Sequence, residues 1–266
     1  MNGQARRGAA TLALAALAAA TAAGAAAADG GGQRGMAAED GPRAVPEPAI
    51  AAQRGVPRIR QQVVFSDGKV LAGPVRARRA SLRVDGRRCA VAAATALGAL
   101  IRSRPGPLAF HDYGSCSRRP ADASGLFVKR IRSERNRGLD GWVYKVGHEL
   151  ATAGAADPSG PFGAGRLRAG DEVVWFYCRQ RARGTCQRTL EVETAVDGRR
   201  VTATVTGYDD AGEGIAVAGA TVRSGRRSAT TDRDGRATLR LPRGRHVLFA
   251  AKRGAIRSFA RRVVVR

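Results

Sequence analysis

The sequence predicts an α+β domain with one short helix, followed by a C-terminal all-β sandwich. The first observation is a pair of aromatic segments, Gly141–His148 and Ala169–Cys178, which contain both tryptophans of the chain. Large aromatic side chains supply much of the apolar area that a small domain buries, so this pair predicts the core of the first domain. The second observation is Val201–Thr206, in which apolar residues and threonines alternate strictly, as in a half-buried strand. Similar short segments follow at intervals of about 8–12 residues, with Gly-rich turns between them, which is typical of a sandwich.

The first domain is predicted to consist of short strands and a single helix. Thr95 can cap the helix through its hydroxyl, and the helix extends to Arg102 and ends before Pro105. The turn Ser66-Asp67-Gly68 is a hairpin signal between the first two strands. The predicted strands are Gln62–Phe65, Lys69–Leu71, Arg76–Val84, Arg88–Ala92, Leu108–Tyr113, Leu126–Ile131, Trp142–His148, Glu172–Cys178 and Gln187–Glu193.

The second domain is predicted to start after the turn Asp197-Gly198, where the sequence changes character. This part holds no cysteine, and its aromatics are Tyr208, Phe249 and Phe259, so its core is expected to be thin. Beyond Val201–Thr206, the predicted strands are Ala220–Arg223, Ser228–Thr231, Ala237–Leu241, His246–Ala251 and Ile256–Val265.

The first 28 residues have the pattern of a secretory signal peptide. Arg6 and Arg7 form a positive start, an Ala- and Leu-rich run follows, and small residues precede the polar turn at Asp29. The alternative is an uncleaved membrane anchor, since an apolar run of about 20 residues is just long enough to span a bilayer. Alanine is only weakly hydrophobic, which favours cleavage. Residues 29–60 are rich in Gly, Ala and Pro without a hydrophobic period, and they are predicted to be a disordered spacer.

The exported part contains four cysteines, and an even number in an exported chain predicts two disulfides. Cys178 and Cys186 flank a polar tip between two strand-like runs, which is the layout of a hairpin closed across its base, and Cys89 is then left to pair with Cys116. A four-cysteine zinc site would normally need two CxxC-like clusters, which the sequence lacks. No segment after the signal peptide is apolar enough to span a membrane. The sequence therefore predicts a protein that is secreted or held in the cell envelope.

The chain is strongly basic, with a formal net charge of +24 from 46 Lys and Arg against 22 Asp and Glu. Such a surface attracts polyanions, for example nucleic acid, an anionic cell-wall polymer or acidic lipid. The alternative is a solvated surface without a dedicated partner, because the arginines are spread along the chain and are not clustered with aromatics. The candidates for contact with a polyanion include Arg130, Arg132, Arg135 and Arg137.

The stretch from about Arg76 to Glu193 resembles the transcobalamin-like C-terminal domain family, a β-grasp module whose bacterial members have no established function. The resemblance implies a β-grasp-like domain over residues 61–195. One departure is Val146-Gly147-His148, where the family usually has Val-Asn-Gly after the tryptophan strand. The matching segments are Ala94–Arg102, Asp112–Cys116, Leu126–Ile131, Gly141–His148 and Leu167–Cys178.

In transcobalamin this module helps to close over a corrinoid that a separate helical barrel binds. The present sequence predicts only one convincing helix, so corrinoid binding does not carry over and no cofactor is expected. Residues 198–266 resemble the carboxypeptidase-regulatory or prealbumin-like sandwich through Ala216–Gly225, Thr230–Leu239 and Leu241–Leu248. Modules of this second kind usually accompany other domains in exported proteins.

The sequence contains no pattern typical of a catalytic or metal-binding site. His111, His148 and His246 each lie alone in a strand-like context, and no pair of them has the spacing of metal ligands. Asp232-x-Asp234-Gly235 resembles the start of a calcium loop, but Arg243 occupies the position of the expected glutamate ligand, so a hairpin turn is the favoured interpretation. We therefore expect a protein that is not an enzyme.

Three aromatic residues are candidates for ligand contact. Trp142 and Tyr144 share one strand face and could line a surface for a sugar or another ring, although core packing is the favoured interpretation. The loop Gly154–Gly165, which contains Phe162, is the best place for an exposed contact. The sequence thus predicts an exported, non-enzymatic binding or interaction module whose ligand or envelope partner is unidentified. The alternatives are an arginine-driven binder of an anionic polymer and a small-molecule carrier related to the transcobalamin module.

Overall fold

The computed structural model describes residues 55–181 and 184–266, which belong to one compact unit. The predicted signal peptide (1–28) and residues 29–54 of the predicted spacer lie outside the described residues, and so do residues 182 and 183 in the tip between Cys178 and Cys186. Strands dominate this part of the chain, as predicted. No helix within it is long and apolar enough to cross a membrane.

The N-terminal half, residues 58–178, consists of strands, one α-helix and one 3-10 helix. Its elements are β1 (Arg58–Val64), β2 (Val70–Arg76), β3 (Ala80–Val84), β4 (Arg87–Val91), α1 (Ala96–Ser103), β5 (Leu108–Asp112), the 3-10 helix (Pro120–Gly125), β6 (Leu126–Ile131), β7 (Glu134–Arg135), β8 (Gly141–Val146), β9 (Glu149–Leu150) and β10 (Glu172–Cys178). The main sheet has the order β2-β1-β10-β8-β9, in which β1 and β10 are parallel and the other neighbours are antiparallel. Two smaller sheets pair β3 with β4 and join β5, β6 and β7.

Strand β1 begins at Arg58 and overlaps the last three residues of the predicted spacer, so residues 58–60 are not spacer. Ile59 is buried in the hydrophobic core of the N-terminal half, called here the first core. The Arg60 guanidinium forms an ion pair with Glu172 on β10. A single isoleucine between two arginines shows no hydrophobic period. The ion-pair partner of Arg60, Glu172, is more than a hundred residues away in the sequence. This is why the sequence alone places the start of order too late.

The predicted strand Arg76–Val84 is divided in two, because β2 ends at Arg76 and β3 begins only at Ala80. The backbone turns between them, where the Arg78 amide donates to the carbonyl oxygen of Arg76 at 2.7 Å. Ala77 at this turn is fully buried, so the alternation of apolar residues continues through the turn and conceals it in the sequence.

Helix α1 has the predicted cap and the predicted end. The Thr95 hydroxyl accepts a hydrogen bond from the Gly98 amide at 3.1 Å, which satisfies one of the free donors of the first turn. Leu97 and Leu100 are fully buried against the main sheet and β3. The helix ends at Arg104, which adopts a left-handed conformation with φ of 51° immediately before Pro105.

The C-terminal half, residues 189–265, is a sandwich of two four-stranded sheets, as predicted. Its strands are β11 (Thr189–Asp197), β12 (Arg200–Tyr208), β13 (Gly214–Ala216), β14 (Thr221–Ser224), β15 (Arg227–Thr230), β16 (Arg236–Arg240), β17 (Gly244–Ala251) and β18 (Arg261–Val265). One sheet contains β11, β12, β13 and β16, and the other has the order β15-β14-β17-β18. The apolar faces of both sheets contribute to one shared hydrophobic core.

The turn Asp197-Gly198 is the tip of a hairpin, although the sequence predicted a domain boundary there. Strand β11 pairs with β12 from Thr189–Tyr208 to Asp197–Arg200, so it belongs to the sandwich and not to the sheet of the N-terminal half. Leu190 and Val192 are buried in the sandwich core, which explains this pairing. The chain therefore passes from one half to the other immediately before β11.

The two halves are joined by a small hydrophobic core of their own. Along β10, Val173, Trp175 and Tyr177 are buried in the first core, and the alternate residues are buried in this joining core. β10 is thus central and covered on both faces, as the sequence predicted. The buried members of the joining core are Val64, Val174, Phe176, Cys178 and, from the C-terminal half, Ile256.

Both disulfides are present in the structure. One links Cys89 on β4 to Cys116, which follows β5, and the other links Cys178 at the end of β10 to Cys186 just before β11. The sequence separations are 27 and 8 residues. In the loop-entropy model such bridges contribute about 3.5 and about 2.5 kcal/mol respectively. The second bridge also fixes the chain at the point where it leaves the N-terminal half.

Lys145 provides the most deeply buried polar contact between the two halves. Its side chain is fully buried, and its ammonium group donates to the carbonyl oxygens of Tyr208 (3.2 Å) and Asp209 (2.5 Å) in the turn after β12. The carboxylate of Asp210 lies 3.6 Å from the same ammonium group. Burial lowers the pKa of Lys145, while the charge of Asp210 opposes that change. A strand lysine that would ordinarily face solvent is thus the anchor of the sandwich.

Further contacts surround this anchor. The Arg261 guanidinium bridges Glu172 of β10 at 2.8 Å and Glu191 of β11 at 2.5 Å. The His148 ring stacks on the Tyr208 ring with centroids 3.6 Å apart, so this departure from the family pattern lies at the contact between the halves. These contacts and the joining core are consistent with a single compact unit.

Candidate ligand-binding cleft

A cleft of about 240 Å³ opens on the N-terminal half, beside the aromatic strand pair. Its walls come from the end of the 3-10 helix with β6, from β8, and from the chain that follows β9. Small and apolar side chains dominate the lining, and the side-chain hydroxyls in it belong to Tyr113, Ser124 and Tyr144. The lining residues are Tyr113, Ser124, Gly125, Leu126, Phe127, Val128, Trp142, Val143, Tyr144, Leu150, Ala151, Gly154, Ala155 and Trp175.

Three buried aromatic side chains, Trp142, Tyr144 and Trp175, form the inner part of the cleft. Tyr144 and Trp175 stack with centroids 5.0 Å apart and an angle of 28° between their planes. The Tyr144 hydroxyl donates to the Ala153 carbonyl oxygen at 3.0 Å, and the Trp142 indole N–H donates to the Glu134 carbonyl oxygen at 2.9 Å. Burial raises the pKa of Tyr144, so its phenol is neutral at physiological pH. These aromatic rings are therefore held rigidly.

Two exposed aromatic side chains, Tyr113 and Phe127, stand at the outer part of the cleft. Tyr113 is 71% exposed and Phe127 is 41% exposed, and their ring centroids lie 6.3 Å apart. The His111 ring meets the Tyr113 ring edge to face at 4.4 Å. Exposed aromatics beside an apolar concavity are typical of a contact surface, because the same rings would otherwise gain more by burial in the core.

One residue that lines the cleft has a side-chain polar atom without a partner. The indole nitrogen of Trp175 is buried and has no hydrogen-bond acceptor among the described residues, although the side chain as a whole is only 1% exposed. A buried N–H without an acceptor costs about 1–3 kcal/mol. An acceptor atom on a bound molecule that reached this N–H would remove the cost, so the residues that line the cleft combine apolar surface with one donor that has no partner.

The outer wall of the cleft depends on a close approach at Gly154. A β-carbon at this position would collide with the carbonyl oxygen of Ser124, which lies at the end of the 3-10 helix. Only glycine allows these two backbones to pack so closely. The glycine content of the loop Gly154–Gly165 therefore has a structural reason at its first residue.

The structure brings two of the three predicted contact residues to this cleft. Trp142 and Tyr144 line it but are only 2% and 6% exposed, so most of their surface packs in the core, as favoured from the sequence. Phe162 is 36% exposed and does not line the cleft. Tyr113 and Phe127 were not among the contact residues predicted from the sequence. The available signal was the position of Phe127 between buried Leu126 and Val128, where strand alternation places it on the outer face.

The other motifs considered from the sequence have structural roles. The Asp232 carboxylate accepts hydrogen bonds from the amides of Asp234 and Arg236, which defines a tight turn. This turn connects β15 and β16, which lie in different sheets, so it is not a hairpin. No group of three or more His, Cys, Asp or Glu residues with the arrangement of a metal site occurs in residues 55–181 and 184–266.

Comparison with known proteins finds no matching family model, and no characterised protein or solved structure is significantly similar to the chain. The resemblance of the matching segments to the transcobalamin-like C-terminal family therefore stays a prediction. The geometry of the cleft and the charge of the surface are the features from which a function can be inferred.

Proposed function

We propose that the protein is an exported, non-enzymatic binding module whose aromatic cleft holds a small ring that carries a hydrogen-bond acceptor. The observation that carries this proposal is the unpartnered indole N–H of Trp175, a residue that lines a mostly apolar cleft. The rigid inner rings supply apolar contact, and Tyr113 and Phe127 supply an outer contact surface. Ligand sites commonly combine mostly apolar linings with a few polar groups that fix orientation.

The size of the cleft limits the ligand class. A volume of about 240 Å³ is below the usual range for drug-sized ligands, about 300–1,000 Å³. An apolar cavity of about 150 Å³ is known to hold a benzene molecule. The cleft thus suits one or two fused rings, or such a group at the end of a larger molecule. A corrinoid is far too large for it.

The proposed location and fold agree with this function. Two disulfides are typical of an oxidising compartment outside the cytosol. A β-grasp assignment for the N-terminal half is supported by its parallel β1–β10 pair at the centre of the main sheet and by the single helix packed against β1. The sandwich is proposed to be the accessory module that the sequence resembles. Neither half is proposed to carry catalytic residues.

Quinoline is a suitable probe for the cleft, because it has two fused rings and one acceptor nitrogen. At about 0.5 kcal/mol for each of its ten heavy atoms, we expect a Kd on the order of 0.2 mM. Isothermal titration calorimetry with the full chain measures this value. Phe127→Ala removes an aromatic contact and should weaken binding about fivefold, since an aromatic pair contributes about 0.5–1.5 kcal/mol. Ala151→Leu fills the cleft and should abolish binding.

Two matched variants serve as controls for these changes. Phe162→Ala removes an aromatic ring of similar exposure outside the cleft, and Ala195→Leu enlarges an exposed alanine on β11. Both should bind quinoline like the unchanged protein. Equal weakening by Phe127→Ala and Phe162→Ala, or unchanged binding by Ala151→Leu, would contradict the proposed site.

A further inference from the structure

Nine arginines, called here the arginine belt, surround the outer edge of strand β2. A groove of about 740 Å³ on one side is lined by five of them and by no Asp or Glu. A second groove of about 520 Å³ is lined by the other four, and both grooves share the exposed segment Ala72–Pro74 of β2. The belt consists of Arg76, Arg78, Arg102, Arg104 and Arg132 in the first groove, and Arg58, Arg60, Arg261 and Arg262 in the second.

Most of the positive charge of the belt is not neutralised within the protein. Arg60 and Arg261 form ion pairs with Glu172. The other seven arginines are exposed, and none of them forms an ion pair with a carboxylate of the described residues. Unpaired like charges at this density repel one another and attract anions. The belt is therefore a concave part of the basic surface whose charge is largely unneutralised.

Two belt arginines occupy backbone positions that usually favour glycine. Arg104 has φ of 51° at the end of α1, and Arg132 has φ of 54° after β6. Left-handed conformations are unfavourable for a residue with a β-carbon, and glycine is the usual residue at the end of a helix. The Arg132 guanidinium is also fixed, because its Nε donates to the Pro105 carbonyl oxygen at 2.6 Å. At both positions the chain therefore has an arginine where glycine would avoid the backbone strain.

The segment between the two grooves leaves room for a chain to cross. Ala72, Gly73 and Pro74 are small and exposed, and a β-carbon at Gly73 would meet no atom within 4 Å. Among the described residues β2 pairs only with β1, so its other edge has no strand partner within them. Pro74 has no amide hydrogen and therefore disfavours the addition of another strand at this edge. The edge is open to a polymer but unsuited to strand pairing.

We propose that the arginine belt binds a linear polymer with repeated phosphate groups, which lies across Ala72–Pro74 and contacts both grooves. The guanidinium group matches phosphate through two parallel hydrogen bonds, which favours phosphate as the anion. The first groove has no aromatic side chain on which a nucleic acid base could stack, and the aromatic ring of the second groove, Phe259, lies against the Arg60 guanidinium. We therefore expect the site to recognise the phosphates and not the bases. Its concave shape suits a chain better than a flat lipid surface. This site is separate from the cleft and does not depend on it.

The test measures binding of the full chain to long-chain inorganic polyphosphate across a series of salt concentrations. For a single-stranded polyanion, the slope of log K against log salt concentration is about −0.7 for each charge neutralised. The seven unpaired arginines of the belt therefore predict a slope of about −5. Four neutral substitutions should reduce the slope to about −2 and weaken binding at low salt about 100-fold. None of the four side chains donates a hydrogen bond in the structure, so the fold should be retained. The substitutions are Arg76→Gln, Arg78→Gln, Arg104→Gln and Arg262→Gln.

A second fourfold variant with the same net charge separates the belt from the general positive charge. Its substitutions affect exposed, unpaired arginines of the sandwich, and binding should change less than threefold with the slope unchanged. Equal losses in the two variants would overturn the proposal, because overall charge alone would then explain binding. Tighter binding to single-stranded DNA than to polyphosphate at equal phosphate concentration, or belt-dependent binding only to anionic vesicles, would also overturn it. The control substitutions are Arg226→Gln, Arg236→Gln, Arg243→Gln and Arg245→Gln.

Arg104→Gly tests whether the arginine at the end of α1 contributes to polyphosphate binding. Glycine suits the left-handed backbone, so the melting temperature should stay the same or rise. Affinity for polyphosphate should nevertheless fall severalfold, and the salt slope should fall by about 0.7. A lower melting temperature with unchanged affinity would instead indicate a purely structural role and contradict the proposal for this residue.

Discussion

Phe176→Ala should lower the free energy of unfolding by about 3–5 kcal/mol, the usual cost of truncating a fully buried phenylalanine. Phe176 is 0% exposed and is the largest member of the joining core between the two halves. Urea unfolding measures the change, and Phe162→Ala is the matched control because it truncates a phenylalanine that is 36% exposed. The control should cost less than about 1 kcal/mol. A similar small loss at Phe176 would mean that the joining core does not stabilise the protein.

Lys145→Met should also cost about 3–5 kcal/mol, because it removes the ammonium donor to the carbonyl oxygens of Tyr208 and Asp209. It also leaves the Asp210 carboxylate without its cationic partner, so that the Cys186 amide is the donor that remains to it. Methionine is close to lysine in shape, so the loss of the charge and donors is the main change. Lys129→Met on the exposed side of β6 is the control and should be nearly neutral.

The same variant should uncouple the two halves. Both tryptophans lie in the N-terminal half, so their fluorescence reports that half alone, whereas far-UV circular dichroism reports both. The two signals should give coincident transitions in the unchanged protein and separate transitions in Lys145→Met. Coincident transitions in the variant would show that Lys145 is not the anchor of the sandwich.

Local features of the fold were accessible from the sequence. Thr95 identifies the start of α1 because the capping chemistry is contained within four residues. The continuous apolar run of β10 predicts a central strand, and the structure places it between β1 and β8. The assignment of β11 was less accessible, since its apolar residues fit either half and only the pairing with β12 decides between them.

The sites depend on contacts that are distant in the sequence. Lys145 lies on a strand between apolar residues and would be assigned to solvent, because its partners at 208–210 come from the other half. The belt joins arginines from five separate regions of the chain, which explains why the sequence shows them as scattered. The cleft has aromatic residues that the sequence does identify, but its outer wall depends on the close approach of Gly154 to Ser124.

The most direct test of the proposed function follows the two indole N–H signals in a ¹H–¹⁵N correlation spectrum. The chain has two tryptophans, and Trp142→Phe assigns them by removing one signal. Trp142 already donates to Glu134, whereas Trp175 has no acceptor in the described structure. Addition of quinoline should therefore move the Trp175 signal downfield and the Trp142 signal much less, and indole, which donates but does not accept, should bind more weakly. Binding of quinoline that leaves the Trp175 signal in place would contradict the claim that the cleft recognises a ring through this donor.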